Sequence, residues 1–264
     1  MDEPTDLPER PRRRGIYLLP NLLTTGSLFA GFYGIIASID GRYEPAAIAV
    51  IVAGVLDGLD GRLARLMHTE SEFGKQYDSL SDMVSFGLAP AVIVYQWGLV
   101  RLADYGWIWA KLGWLAAFVY AVAGALRLAR FNVRARTADR RFFEGLPSPS
   151  AAGLMMSMVW VGTDLGWTGV LTLALALLVS ASAGALMVSR FSYYSFKEVH
   201  PRGRISFTYV FVVPLTFVLI AMDPPKVLFA IGVIYALSGP TLGLWRRQRR
   251  RLGRLQRHEE RRRT

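Results

Sequence analysis

The chain has 264 residues, 52% of them apolar, and a formal net charge of +11. A composition at once so apolar and so basic excludes an ordinary soluble domain and points to apolar spans separated by charged knots. With no cysteine in the sequence, thiolate catalysis, disulfides and cysteine metal sites are excluded.

In chain order, residues 1–14 are polar, charged and proline-rich and read as a disordered tail. The first apolar run, 17–39, is long enough to remain as a span, so no cleavable signal peptide is expected. Further spans are expected at 44–66, 78–100, 107–130, 148–166, 168–189, 205–222 and 227–245, each close to the roughly 20 residues a bilayer requires. Residues 246–264 are a basic tail. The fold expected is therefore all-α, a polytopic membrane bundle of about eight transmembrane helices. Placing the N-terminus in the cytoplasm brings every one of the 31 Lys and Arg to the cytoplasmic side except Arg42, Arg101, Lys111 and Lys226, as the positive-inside rule asks. Trp97, Trp107, Trp109 and Trp167 then fall near the outer ends, where interfacial belts form.

The second span ends in an unusual run of small and acidic residues: Asp57, Asp60, Gly61, Ala64 and Arg65, followed by Gly74, Asp78 and Asp82. At about 100° per residue, Asp60, Gly61, Ala64 and Arg65 all lie within about 80° of Asp57. Asp78 and Asp82 form an i, i+4 pair on one face of the next helix. Carboxylates beside membrane spans are expensive to keep and mark a functional site. Several of them together need a cation. Without cysteine, and with His68, His200 and His258 scattered, the fitting cation is hard and oxygen-loving: magnesium or manganese, with calcium also suitable. Two helices each offering an acidic pair suggest a cradle for two ions, which suits phosphoryl chemistry. Gly61 and Ala64 leave a groove on the acidic face, and Arg65 suits a phosphate. A cation-coupled transporter would also use acids, but these gather at one end of the spans and not at mid-membrane. Ser148 and Ser150 have no histidine nearby in sequence, which argues against a nucleophilic serine.

The pattern D-x2-D-G-x2-A-R-x8-G-x3-D-x3-D, complete here at the eight positions just named, resembles the motif of the CDP-alcohol phosphotransferases. The resemblance implies a six-helix catalytic core, a binuclear divalent-metal centre at the cytoplasmic surface and release of CMP. It implies that Asp57, Asp60 and Asp78 hold the metals, with Asp82 as the general base and a further metal contact. Gly61, Ala64, Arg65 and Gly74 would contact the CDP moiety. Segments 20–24 (PNLLT), 27–32 (SLFAGF), 82–90 (DMVSFGLAP), 127–132 (RLARFN), 143–149 (FEGLPSP) and 186–190 (LMVSR) are similar to those of membrane-embedded bacterial phosphatidylserine synthases within that family. Ser27 stands where that group would place asparagine.

That closer resemblance implies CDP-diacylglycerol and L-serine as substrates, phosphatidylserine and CMP as products, a homodimer and a bacterial inner membrane. Glycerol 3-phosphate, inositol phosphate or choline are the alternative acceptors. Arg127, Arg130 and Asn132, with Arg190 and Lys197 as second candidates, are assigned to donor phosphate or serine carboxylate; anchoring at the headgroup level is the other reading of these cations. The core is expected over 15–200 and two additional helices over 201–245. The basic tail at 246–264 is expected to meet anionic membrane lipid and not nucleic acid.

Overall fold

The computed structural model describes residues 18–67, 71–134, 142–194 and 207–263. The expected tail at 1–14 and the candidate Lys197 lie outside the described residues. The described chain is helical except for one short strand pair. Helix α1 (Leu18–Ile39) turns through Gly41, at φ +75°, into α2 (Tyr43–Leu66). The two pack closely because their shared face is small: Ala37, Ala46, Ala47 and Ala53 are buried, and a Cβ at Gly34 would stand 3.1 Å from the Ala46 carbonyl oxygen. Ser27, at the position expected to hold asparagine, donates to the Ala53 carbonyl at 3.1 Å. It thereby helps bind α1 to α2.

The third expected span starts earlier than its apolar run. Helix α3 (Glu72–Asp82) is opened by Ser71, whose hydroxyl accepts from the Gly74 N–H at 3.0 Å. It passes through a π-helical stretch, Met83–Leu88, into α4 (Ala89–Trp97). The widening coincides with a proline and with a hydroxyl from another helix. Pro90 has no N–H for the Phe86 carbonyl four residues earlier. The Tyr120 hydroxyl donates to that carbonyl instead, at 3.0 Å. A 3₁₀ segment, Leu99–Tyr105, leads into α5 (Trp107–Arg134), where Gly124 crosses directly over Gly87. Tyr43 donates to the Gln96 carbonyl at 3.0 Å, so α2 and α3–α4 run antiparallel. The end of α2 therefore meets the start of α3.

Strand β1 (Phe142–Glu144) pairs antiparallel with β2 (Ser192–Tyr194). Between them lie α6 (Ser148–Asp164) and α7 (Val170–Val188). Gly145, at φ +81°, is required at the exit from β1: a Cβ there would stand 2.2 Å from the Met187 carbonyl oxygen. Helix α8 (Phe207–Met222) packs along α9 (Pro224–Arg263), which lies on α6 and continues through the basic segment after 245 without a break.

The core holds Phe86, Ile93, Tyr120, Met155, Met156, Met158 and Met187. Phe29, Phe32, Trp107, Phe118, Leu171, Leu178 and Phe217 are exposed on the outside, as a lipid-facing surface requires. Among the described residues, four helical stretches are long and apolar enough to cross a membrane: Leu19–Ile39, Trp107–Val133, Val170–Val188 and Pro224–Gly243. A fifth is reached if Glu72–Trp97 and the bent Leu99–Tyr105 count as one. Each of the eight expected spans overlaps a described helix, with residues 17, 205 and 206 outside the described residues, but not all have the length and composition of a span: α2 carries Asp57, Asp60, Arg62 and Arg65 in its last turns, and α6 has 17 residues and α8 16. Trp97 departs from the expected belt. It is buried, with its ring against Gly162.

Candidate active site

The antiparallel meeting of α2 and α3 brings three of the four aspartates together. One carboxylate oxygen from each of Asp57, Asp78 and Asp82 lies within 4.8 Å of the others, and all three residues are half-buried. Asp60 is not part of this group. It is 6% exposed, and its carboxylate accepts from the Thr24 hydroxyl of α1. Thr24 also lies 3.1 Å from the Pro20 carbonyl, so its single proton has two acceptors. The Ser81 hydroxyl donates to the Thr24 carbonyl at 3.2 Å, binding α3 to the same turn of α1.

Three ionised carboxylates this close repel by on the order of 3 kcal/mol per pair at an effective dielectric of about 20. The described cation in electrostatic contact with Asp82 is Arg127 of α5. Oxygens on opposite sides of one ion stand roughly 4.2 Å apart around magnesium and roughly 5 Å apart around calcium. The all-oxygen donor set and the 4.8 Å limit therefore fit a hard divalent ion.

Beside the acids the surface is open. A Cβ added at Gly58 or Gly61 would meet nothing within 4 Å, and Gly61, Arg62 and Arg65 are exposed. Ala64 is half-buried. Gly74 has a separate local task, since its N–H is bound by the Ser71 cap.

The cations and amide expected to follow the fourth span reach the same end of the bundle, each by its own contact. Arg127 Nη1 donates to the Ser148 hydroxyl at 2.7 Å, while its buried Nε has no hydrogen-bond partner among the described residues. Arg130 Nη2 donates to the Val188 carbonyl at 3.0 Å, where α7 ends and leaves carbonyls unpaired. Asn132 Nδ2 donates to the Ser79 hydroxyl at 3.1 Å, linking α5 to α3. Arg190 is exposed beyond α7. The sequence gives no reason to expect a site role for Thr24 or Ser148, which meet Asp60 and Arg127. Both lie in segments shared with the family, 20–24 and 143–149, but hydroxyls at helix starts read as caps.

This geometry and the sequence comparisons define the class. The CDP-alcohol phosphatidyltransferase family profile matches residues 17–182, and the chain belongs to that family. Among individual relatives, it is 33% identical over 222 residues to the CDP-diacylglycerol–serine O-phosphatidyltransferase of Helicobacter pylori strain 26695, covering 84% of this chain and 90% of that one. The Mycobacterium leprae protein of the same name is 30% identical over 242 residues, covering 88% and 77%. The archaetidylserine synthase of Methanothermobacter thermautotrophicus is 38% identical over 146 residues, covering 54% and 58%.

Proposed function

We propose that the protein transfers the phosphatidyl group of CDP-diacylglycerol to the hydroxyl of L-serine, giving phosphatidylserine and CMP. The observation that carries this reading is the convergence of Asp57, Asp78 and Asp82 within 4.8 Å, inside the region matched by the family. The names of the relatives from Helicobacter and Mycobacterium support serine as acceptor and CDP-diacylglycerol as donor.

Asp57, Asp78 and Asp82 would hold the divalent cation, with Asp60 as the fourth residue assigned to a pair of ions. When bound, magnesium or manganese supplies positive charge that neutralises the donor pyrophosphate. The exposed Arg65 and the open strip at Gly61 and Ala64 receive the CDP moiety. Arg127 and Arg130, with Asn132, receive the donor phosphate or the serine carboxylate; Arg190 is a further cation for either. Asp82 accepts the serine hydroxyl proton as the oxygen bonds to the phosphorus bearing diacylglycerol. The bond from that phosphorus to the bridging oxygen breaks, and CMP leaves with the electron pair. No covalent nucleophile is needed, so a single displacement is the simplest course.

The same reading places the acidic end and both termini in the cytoplasm of a bacterial inner membrane. It assigns six helices of residues 15–200 to the catalytic core, the pair within 201–245 to an addition that makes eight spans, and two copies to the working assembly. Purified protein incubated with CDP-diacylglycerol and, separately, serine, glycerol 3-phosphate, inositol phosphate and choline tests the acceptor. Serine is expected to support CMP release above the others; equal or greater release with another alcohol would overturn the assignment.

A further inference from the structure

The short loop that leads into α6 is fixed before it reaches the helix. The Gly145 N–H donates to the Phe191 carbonyl at 2.9 Å, and the Leu146 N–H to the Leu186 carbonyl at 3.0 Å. The Leu146 side chain is buried. Pro147 and Pro149 flank Ser148, and their rings hold φ on either side of it. Ser148 is therefore presented from a stiff support at the first position of α6. It is 1% exposed, and its hydroxyl accepts from Arg127 Nη1 at 2.7 Å. Arg130 leans on the same support, since its Nη2 donates to the Val188 carbonyl at the end of α7.

Two contacts locate Arg127 against the acidic helix. A Cβ at Gly124 of α5 would stand 3.3 Å from the Gly87 Cα, and Asn132 Nδ2 donates to the Ser79 hydroxyl at 3.1 Å. These contacts are equally far apart in sequence on both partners, so α5 runs antiparallel to the stretch from Ser79 to Gly87 in a steady register. Arg127 falls between them, alongside the turn that follows Asp82. At about 100° per residue it lies about 60° round from Gly124, on the side away from Asn132. There it meets α6 through Ser148. Its Nε is buried and has no hydrogen-bond partner among the described residues. A buried N–H on a cation is costly to leave without an acceptor, and a substrate anion would supply one.

A guanidinium donates within the plane of a rigid fork, so fixing Nη1 narrows the directions in which the other N–H groups point. We infer that Ser148 is a positioning residue: its hydroxyl holds the Arg127 guanidinium in the orientation from which the remaining N–H groups meet the anionic group of a substrate, a phosphate or a carboxylate. The loop at 145–149 is then a working support of the active site. The inference deepens the transferase reading and rests on it.

The test compares wild type, Ser148→Ala, Arg127→Lys and the double variant. Ser157→Ala is the control in the same helix, where the buried hydroxyl donates to the Leu154 carbonyl at 3.1 Å. CMP release is measured while CDP-diacylglycerol and the acceptor that gives the highest wild-type turnover are varied in turn, and Tm shows that each protein is folded. Ser148→Ala is expected to raise KM about fivefold for one substrate, the one whose KM rises in Arg127→Lys, and to leave the other KM unchanged. A rise for CDP-diacylglycerol assigns the anion to the donor phosphate; a rise for the acceptor assigns it to the acceptor. The double variant should be no worse than Arg127→Lys alone, and Ser157→Ala should keep both KM values. Wild-type KM values in Ser148→Ala or in Arg127→Lys, an equal rise for both substrates, additive losses in the double variant, or the same KM rise in Ser157→Ala would each overturn the inference. A Ser148→Ala protein that does not fold would assign the contact to folding alone and overturn it as well. Turnover with an acceptor other than serine would overturn the serine assignment while leaving Ser148 tested. No CMP release with any alcohol would overturn both.

Discussion

Thr24, in the second turn of α1, donates its hydroxyl to the carboxylate of Asp60 near the end of α2. This contact joins two helices, and Asp60 lies outside the group formed by Asp57, Asp78 and Asp82. Replacing Thr24 by Val keeps the shape and removes the donor from a buried carboxylate. The expected loss is about 1–3 kcal/mol, read as a lower Tm in the absence of divalent ions. If Asp60 takes part in cation binding, as the motif implies, Thr24→Val also shifts the midpoint of a magnesium titration of CMP release. An unchanged Tm would show that the hydroxyl does not hold the carboxylate.

Tyr120→Phe addresses the π-helical stretch. The Phe86 carbonyl lies close in sequence to Asp82, and Tyr120 supplies the donor that Pro90 lacks. Losing that bond at a buried carbonyl is expected to destabilise by about 1–3 kcal/mol. It should also lower kcat severalfold, because Asp82 leads directly into the stretch. Thermal unfolding and initial rates check both outcomes. A variant with wild-type Tm and kcat would contradict this account of the distortion.

Gly145→Ala tests the junction between β1 and α6. A side chain there combines a positive φ with a Cβ at 2.2 Å from the Met187 carbonyl oxygen, and the φ strain alone is on the order of 1–3 kcal/mol. The variant should unfold at a clearly lower temperature. Since α6 starts with Ser148, the partner of Arg127, activity should also fall in the protein that remains folded. Equal Tm values would show that the junction yields without strain.

The apolar runs made the helices legible, and α1, α2, α5 and α7 lie within a few residues of their expected bounds, since hydropathy and turn residues agree there. The start of α3 was not legible as a span. Residues 72–77 mix Glu72, Lys75 and Gln76 with Phe73, Gly74 and Tyr77, which is no apolar run, and the Ser71 cap opens the helix there. The π-helical stretch was hidden because it coincides with Pro90 and with a hydroxyl from a distant helix. The β1–β2 pair was hidden for a similar reason: three residues in each strand are too few for an alternating pattern. At the site, motif spacing placed Asp57, Asp78 and Asp82 on meeting faces. The same spacing offered no means of seeing that the Thr24 hydroxyl would meet Asp60. Arg127 was legible as a cation near the site. Its link to Ser148 depends on how α6 docks against α5, which no local pattern encodes.

Divalent dependence follows from the charge at the site. Removing divalent ions with a chelator should stop CMP release, and magnesium or manganese should restore it. Asp57→Asn should move the titration to higher metal concentration by about tenfold or more, the scale of a lost ligand or of a lost outer-shell contact. Full turnover in the chelated protein would remove the cation from the account.

The central claim is that the carboxylates meeting between α2 and α3 perform phosphatidyl transfer, and the most direct measurement is CMP release from CDP-diacylglycerol and serine by purified wild type and Asp82→Asn in magnesium. The account predicts serine-dependent CMP release by wild type. It also predicts a loss of at least about a hundredfold in kcat for Asp82→Asn, the lower range for a positioned base, with the Tm preserved. Near-normal turnover by a folded Asp82→Asn protein would contradict it.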